Sequence, residues 1–149
     1  MTDPAADPHR LIIAAHELGH AIVWRSLGFT IDEIWVKGHH TAVRGQVWLD
    51  ITRNVPWTLD HERGYYVGLA SGRAAQLRWC DENGVTFNER DCATDMALYE
   101  QRRRTRLGRQ VRPSDVQREA HRLVRAHWTR IVRLTPQLAA RGSLSPSRV

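Results

Sequence analysis

Asp7-Pro8-His9-Arg10-Leu11-Ile12-Ile13-Ala14-Ala15-His16-Glu17-Leu18-Gly19-His20-Ala21-Ile22-Val23-Trp24-Arg25-Ser26-Leu27-Gly28 is the stretch on which the fold turns. Asp7 is a good N-cap, and Pro8 suits the first helical position, where its missing N–H costs nothing. Gly28 is a good residue just past a helix end. The segment therefore predicts a helix from about Pro8 to Leu27. It is apolar around much of its circumference, through Leu11, Ile12, Ala14, Ala15, Leu18, Ala21, Ile22 and Val23, so it is expected to be buried. Histidines and a glutamate inside such a helix are costly unless something pairs with them.

His16-Glu17-Leu18-Gly19-His20 reads H-E-x-x-H. Residues i and i+4 lie one above the other on a helix face. Two imidazoles at that spacing can share one Zn²⁺, and the glutamate between them can serve as general base toward a metal-bound water. In shuffled versions of this composition the pattern arises in roughly 2% of cases, so the motif alone is a hypothesis, and the rest of the chain must support it.

The 149 residues fit one domain, with 42% apolar and 26% charged residues, a globular balance. Two cysteines, Cys80 and Cys92, are too few for a disulfide framework and read as inert core thiols. Met1 to His9 is polar, and no run of 18 apolar residues exists. The expectation is a protein with no signal peptide and no membrane span, in the reducing cytoplasm. The net charge is +6, almost entirely from arginine, since Lys37 is the one lysine. The run Arg102, Arg103, Arg104, Arg106, Arg109 and Arg112 can bind phosphate backbones, or can be a solvated helix end and loop.

Further along, Glu33–Lys37 and Gly45–Ile51 read as two strands of a hairpin, whose free edge could receive an extended peptide. A second helix is expected from Thr58 to about Cys80. It carries Gly64, Gly68 and Gly72 at i, i+4 and i+8, each costing about 1 kcal/mol relative to alanine. Such a stripe implies a close-packed neighbour, and the His16–His20 helix is the candidate. A capping-box spacing at Thr86 and Glu89 predicts a third helix running to Arg106 and ended by Gly108. Ser114, with Gln117 as capping partner, predicts a fourth through Leu134. Thr135-Pro136 opens a short last turn. The resulting expectation is a mainly α (α+β) fold: four to five helices packed with a small β-hairpin or sheet. Residues 1–7 and 141–149 are expected to be disordered ends around a domain at 8–140.

A catalytic zinc usually takes three protein ligands and keeps a position open. His16 and His20 supply two; His39, His40, His61, Glu89, Asp91, Asp95 and Glu100 are the candidates for the third. Asp91 and Asp95 are expected on one face of the third helix, at i and i+4.

Three separated segments resemble the peptidase domain of the FtsH-type ATP-dependent zinc proteases. Ala14–Ala21 is similar to that family's H-E-A-G-H-A helix. Leu69-Ala70-Ser71-Gly72-Arg73-Ala74-Ala75-Gln76 is similar to its L-G-G-R-A-A-E segment. Asn88-Glu89-Arg90-Asp91 is similar to its S-N-D-L segment, whose aspartate is the third zinc ligand. The order is preserved over about residues 8–140. The resemblance implies an FtsH-peptidase-like fold, a zinc ion held by His16, His20 and Asp91, and Glu17 as general base in peptide-bond hydrolysis. The family forms hexameric rings, with much of the contact made by its ATPase module, so a homo-oligomer is left open as one possible partner. The chain departs from the family at Arg90, where asparagine is usual, and at Ser71, where the first glycine stands. It has no G-x-x-x-x-G-K-[ST] loop for ATP, and no membrane anchor is expected. The expected activity is thus an ATP-independent zinc metalloendopeptidase acting on peptides or unfolded segments, alone or with a separate unfoldase or regulator. Two alternatives stand beside it: a non-catalytic zinc-binding protein with a binding or regulatory role, and a nucleic-acid-associated protein acting through Arg102–Arg112.

Overall fold

Asp7 begins the first helix as its chemistry demands. In the computed structural model, which describes residues 3–149, Asp7 Oδ1 accepts hydrogen bonds from the backbone N–H groups of His9 and Arg10 at 3.0 and 3.3 Å. Helix α1 then spans Pro8–Ser26. Every residue from Ile12 to Trp24 is buried, which makes α1 the central element. Each fully buried leucine or isoleucine there contributes about 1.5–3 kcal/mol. Arg10 is buried as well, and its guanidinium is satisfied by the carbonyls of Ala139, Gly38 and Val36.

Strands β1 (Thr30–Lys37) and β2 (Arg44–Asp50) form the expected antiparallel hairpin, with Ile34 opposite Val47 and Val36 opposite Gly45. Helix α2 (Leu59–Asn83) is capped at its start by Thr58 and ended by Gly84 at φ 63°. It packs along α1. Helix α3 (Ala93–Arg102) follows a 3-10 turn at Glu89–Cys92. Helices α4 (Pro113–Ala126) and α5 (Trp128–Arg141) complete the helical layer, α4 against α2 and α5 against α1. The described residues are mainly helical, with five α-helices and one small antiparallel sheet.

Several expectations change. Residues 141–149 were expected as a flexible tail, but Ser143–Leu144 forms β3 against Trp35 and Ile34, giving the sheet order β2-β1-β3. Leu144 and Val149 are buried, so apolar packing holds that end. At the other end, Met1 and Thr2 lie outside the described residues. Pro4–Ala6 makes a 3-10 turn and Asp7 is buried, where a disordered segment was expected. The fourth helix breaks at His127, whose backbone (φ −105°, ψ 10°) leaves the helical region. Pro136, expected to start a new turn, lies inside α5. Arg112, not Ser114, occupies the N-cap of α4, because Pro113 takes the first helical position. Among the described residues, no helix is long and apolar enough to cross a membrane.

Candidate metal centre

His16 and His20 project from the same face of α1, as their spacing requires. Their Nε2 atoms are 3.0 Å apart. Asp95, from the first turn of α3, brings Oδ2 to 2.7 Å from His16 Nε2 and 3.0 Å from His20 Nε2. These three side chains are the group that can hold a metal ion among the described residues.

The outer hydrogen bonds fix which nitrogen faces inward. The Asp91 carboxylate accepts from Gln76 Nε2 at 2.8 Å. That turns the other end of the amide, Oε1, to His16 Nδ1 at 2.7 Å. An amide oxygen only accepts, so His16 Nδ1 carries the proton. His20 Nδ1 likewise donates to the Gly68 carbonyl at 2.8 Å. Both Nε2 atoms therefore meet the Asp95 carboxylate with their lone pairs unless a cation lies between. Such outer partners orient imidazole ligands and fix their tautomer.

Charge in the cluster follows the same logic. Burial favours neutral His16, but the Asp95 carboxylate, the Cys92 sulfur and Glu17 outweigh it and hold its pKa well above the usual histidine range. Burial likewise opposes charge on Asp95, but the two imidazoles win and hold its carboxyl well below the usual range. The cluster thus stores an ionised carboxylate and demands a positive partner. A proton can fill that role, and so can a metal ion.

The resemblance implies Asp91 as third ligand; the structure groups Asp95, not Asp91, with the two histidines. The two aspartates do not share one α-helical face. The 3-10 turn at Glu89–Cys92 places Asp91 before α3 begins. Asp91 turns to Gln76 and to His9, whose Nε2 is 3.3 Å from Asp91 Oδ1. It touches the site only through Gln76. The remaining candidates lie elsewhere. Glu89 pairs with Arg73, Glu100 with Arg103, and His61 closes the capping box of α2 with Thr58. His39 and His40 are exposed in the hairpin turn.

The glycine stripe of α2 serves the site directly. A Cβ on Gly72 would stand 2.3 Å from both Cε1 and Nε2 of His20 and 2.9 Å from His16 Nε2. A Cβ on Gly68 would meet the Trp24 ring at 2.1 Å. In return, a Cβ on Gly19 of α1 would stand 2.5 Å from the Ser71 carbonyl. The third member of the stripe, Gly64, faces Phe29 rather than α1. On the opposite wall, a Cβ on Gly45 of β2 would stand 2.5 Å from Glu17 Cγ and 2.7 Å from its Oε1. Glu17 is buried, and burial raises its pKa, offset only in part by His16 and His20.

The site opens into a cleft of about 700 Å³. Its floor is α1; its walls are β2 and the segment from Arg90 to Arg102. Consecutive residues Val43 to Leu49 line it. β2 is an edge strand, so its backbone edge as well as its side chains borders the cleft.

Two arginines of the run are held in ion pairs. Arg102 makes a two-pronged ion pair with buried Glu62, at 3.0 Å for each bond, and lies over the rings of Trp57 and Tyr65. Arg103 pairs with Glu100, while Arg104, Arg106, Arg109 and Arg112 are exposed. The sequence reading did not single out Gln76 or Glu62, and it took Gly45 as the glycine that leads a strand similar to one of the FtsH-type peptidases, not as a neighbour of Glu17. Gln76 stood inside a quoted motif, but its partners lie 60 residues before it and 15 after it.

Compared with known proteins, the chain matches no protein-family model, no curated protein and no solved structure.

Proposed function

We propose that this protein is a zinc-dependent metallopeptidase that hydrolyses peptide bonds in peptides or unfolded segments. The observation that carries the reading is the convergence of His16, His20 and Asp95 beside buried Glu17, in a cleft bordered by a free strand edge. The donor set suits zinc: two imidazoles and one carboxylate, with room for a fourth partner on the cleft side. Nitrogens each about 2.0–2.1 Å from a tetrahedral zinc stand roughly 3.3 Å apart, and the two Nε2 atoms here are 3.0 Å apart.

Bound there, zinc would supply Lewis acidity, polarising a carbonyl and acidifying water. The protein's own residues do the rest. Glu17, its pKa raised by burial, accepts a proton from the attacking water and passes it to the leaving amine. Gly45 keeps the space that Glu17 occupies. The outer edge of β2 offers backbone donors and acceptors to an extended chain, which would hold its amide across the site. Gln76 and the Gly68 carbonyl hold the two imidazoles with Nε2 inward. The reading also agrees with the resemblance to FtsH-type peptidases in the H-E-x-x-H and Gly72-Arg73-Ala74-Ala75 segments.

The test is metal content and cleavage together. The purified protein should carry one zinc per chain and cleave an unfolded protein such as reduced casein. 1,10-Phenanthroline should stop cleavage, and added zinc should restore it. Stoichiometric zinc without cleavage of any unfolded substrate would instead favour a non-catalytic metal protein.

A further inference from the structure

The two ends of the cleft differ in charge. Arg44 opens β2, and Arg90 directly precedes Asp91. They flank the same end. The His9 ring bridges the two walls there, bonding Asp91 on one side and the His40 carbonyl on the other, and Asp7 holds the His40 N–H at 2.9 Å. The opposite end is apolar and aromatic. Trp48, Ile51 and Leu98 are exposed there, with Tyr65 behind them under the Arg102 guanidinium.

The carboxylates in the cleft are already committed. Asp95 serves the two histidines, Asp91 serves Gln76 and His9, and Glu17 is buried against Gly45. Arg102 is paired with Glu62. Arg44 and Arg90 differ from it: both are exposed, both line the cleft, and neither side chain makes a hydrogen bond, ion pair or ring contact among the described residues. Two uncompensated guanidiniums at one end of a cleft attract a carboxylate, and Arg can hold one in two-pronged fashion.

We propose that Arg44 and Arg90 bind a substrate carboxylate, so that the cleft selects acidic peptides lying with an apolar side chain toward Trp48 and Leu98. The proposal rests on the metallopeptidase reading and names its substrate class. The carboxylate can come from an aspartate or glutamate side chain or from a free C-terminus; both present the same group.

The experiment uses the full-length, zinc-loaded protein and quenched fluorescent peptides of alanine and leucine. A single Glu is walked along the peptide, each register is matched by Gln, and each peptide is made as the C-terminal acid and as the amide. One Glu register, or the free acid, should be cleaved about tenfold faster in kcat/KM than its neutral match, the size expected for a charge-assisted contact. A Glu-dependent gain assigns a side-chain carboxylate; an acid-over-amide gain assigns the chain terminus. The R44Q/R90Q double variant should bring acidic and neutral peptides to within about twofold, and R44K/R90K should keep part of the preference. Circular dichroism verifies that each variant is folded. The same peptides titrated against zinc-loaded E17Q by calorimetry supply a readout that needs no turnover. Discriminated binding without cleavage by the parent would leave the carboxylate site standing and sink the peptidase reading. Cleavage with no acidic preference, or with a preference that survives R44Q/R90Q, would overturn the carboxylate site alone. Neither cleavage nor discriminated binding would overturn both.

Discussion

Gln76 Oε1 accepts the Nδ1 proton of His16 at 2.7 Å, and its orientation is dictated from behind by Asp91. Asp91 therefore acts on the metal site through a neighbour, whereas Asp95 reaches it directly. Removing an outer partner typically weakens metal binding about 10–100-fold. Gln76→Ala should fall in that range, Asp91→Ala, one bond further out, should cost no more, and Asp95→Ala should lose most. Zinc affinity measured by competition with a chromophoric chelator ranks the three. If Asp91→Ala proved the most damaging, the ligand set would be wrong.

The glycine at 72 is a steric requirement, since a methyl group there would overlap His20. Gly72→Ala should destabilise the fold by about 1–3 kcal/mol, as overpacking does, and displace His20 enough to weaken metal binding. Gly64→Ala is the control on the same helix. Its nearest contact would be a Phe29 ring carbon at 3.0 Å, and the better helix propensity of alanine, about 1 kcal/mol, offsets it. Urea unfolding and chelator competition on both variants separate the two effects.

Glu17→Gln preserves size and leaves His16, His20 and Asp95 untouched. Bound zinc should stay at the parental ratio, while turnover should fall by at least about 100-fold, the scale of general-base catalysis. Metal analysis beside a casein assay decides it, and parental cleavage by this variant would rule out Glu17 as the base.

Glu62 accepts from Trp57, Tyr66 and Arg102, and it is buried. Burial opposes its charge, but the hydrogen bonds from Arg102, Tyr66 and Trp57 win and lower its pKa from 4.5. A carboxyl depressed in the folded state adds stability above its unfolded value and loses it as pH falls through the folded value. The acid limb of stability below about pH 4.5 should therefore flatten in Glu62→Gln. At neutral pH that variant should cost about 2–4 kcal/mol, toward the low side for a broken buried pair because Arg102 keeps some solvent. Thermal melts from pH 3 to pH 7 measure both.

Local signals carried a large share of this structure. Asp7-Pro8 and Gly28 bracket α1, Thr58 opens α2, which runs three residues past the expected end at Cys80, and the alternation of Val47 and Leu49 marks β2. These features act within a few residues of themselves. The spacing of His16 and His20 is local too, and the glycine stripe named its own neighbour for Gly68 and Gly72. What stayed hidden depends on contacts distant in sequence. The choice between Asp91 and Asp95 turns on a 3-10 turn that carries Asp91 away from the histidines, to partners in Gln76 and His9 that are distant in sequence. β3 has only two residues and pairs with a strand more than 100 residues earlier. The break at His127 carries neither glycine nor proline to announce it.

Helix α3 buries none of its own residues, yet it carries Asp95 and forms one wall of the cleft. Besides the packing of Tyr99 on Tyr66, two polar fastenings hold it: Asp95 on the histidines near its start and Arg102 on Glu62 at its end. The two share no residue. The wall of the groove opposite β2 thus rests on two latches that can be opened one at a time. Asp95→Asn should loosen one, Glu62→Gln the other, and hydrogen exchange along α3 would report how many are closed.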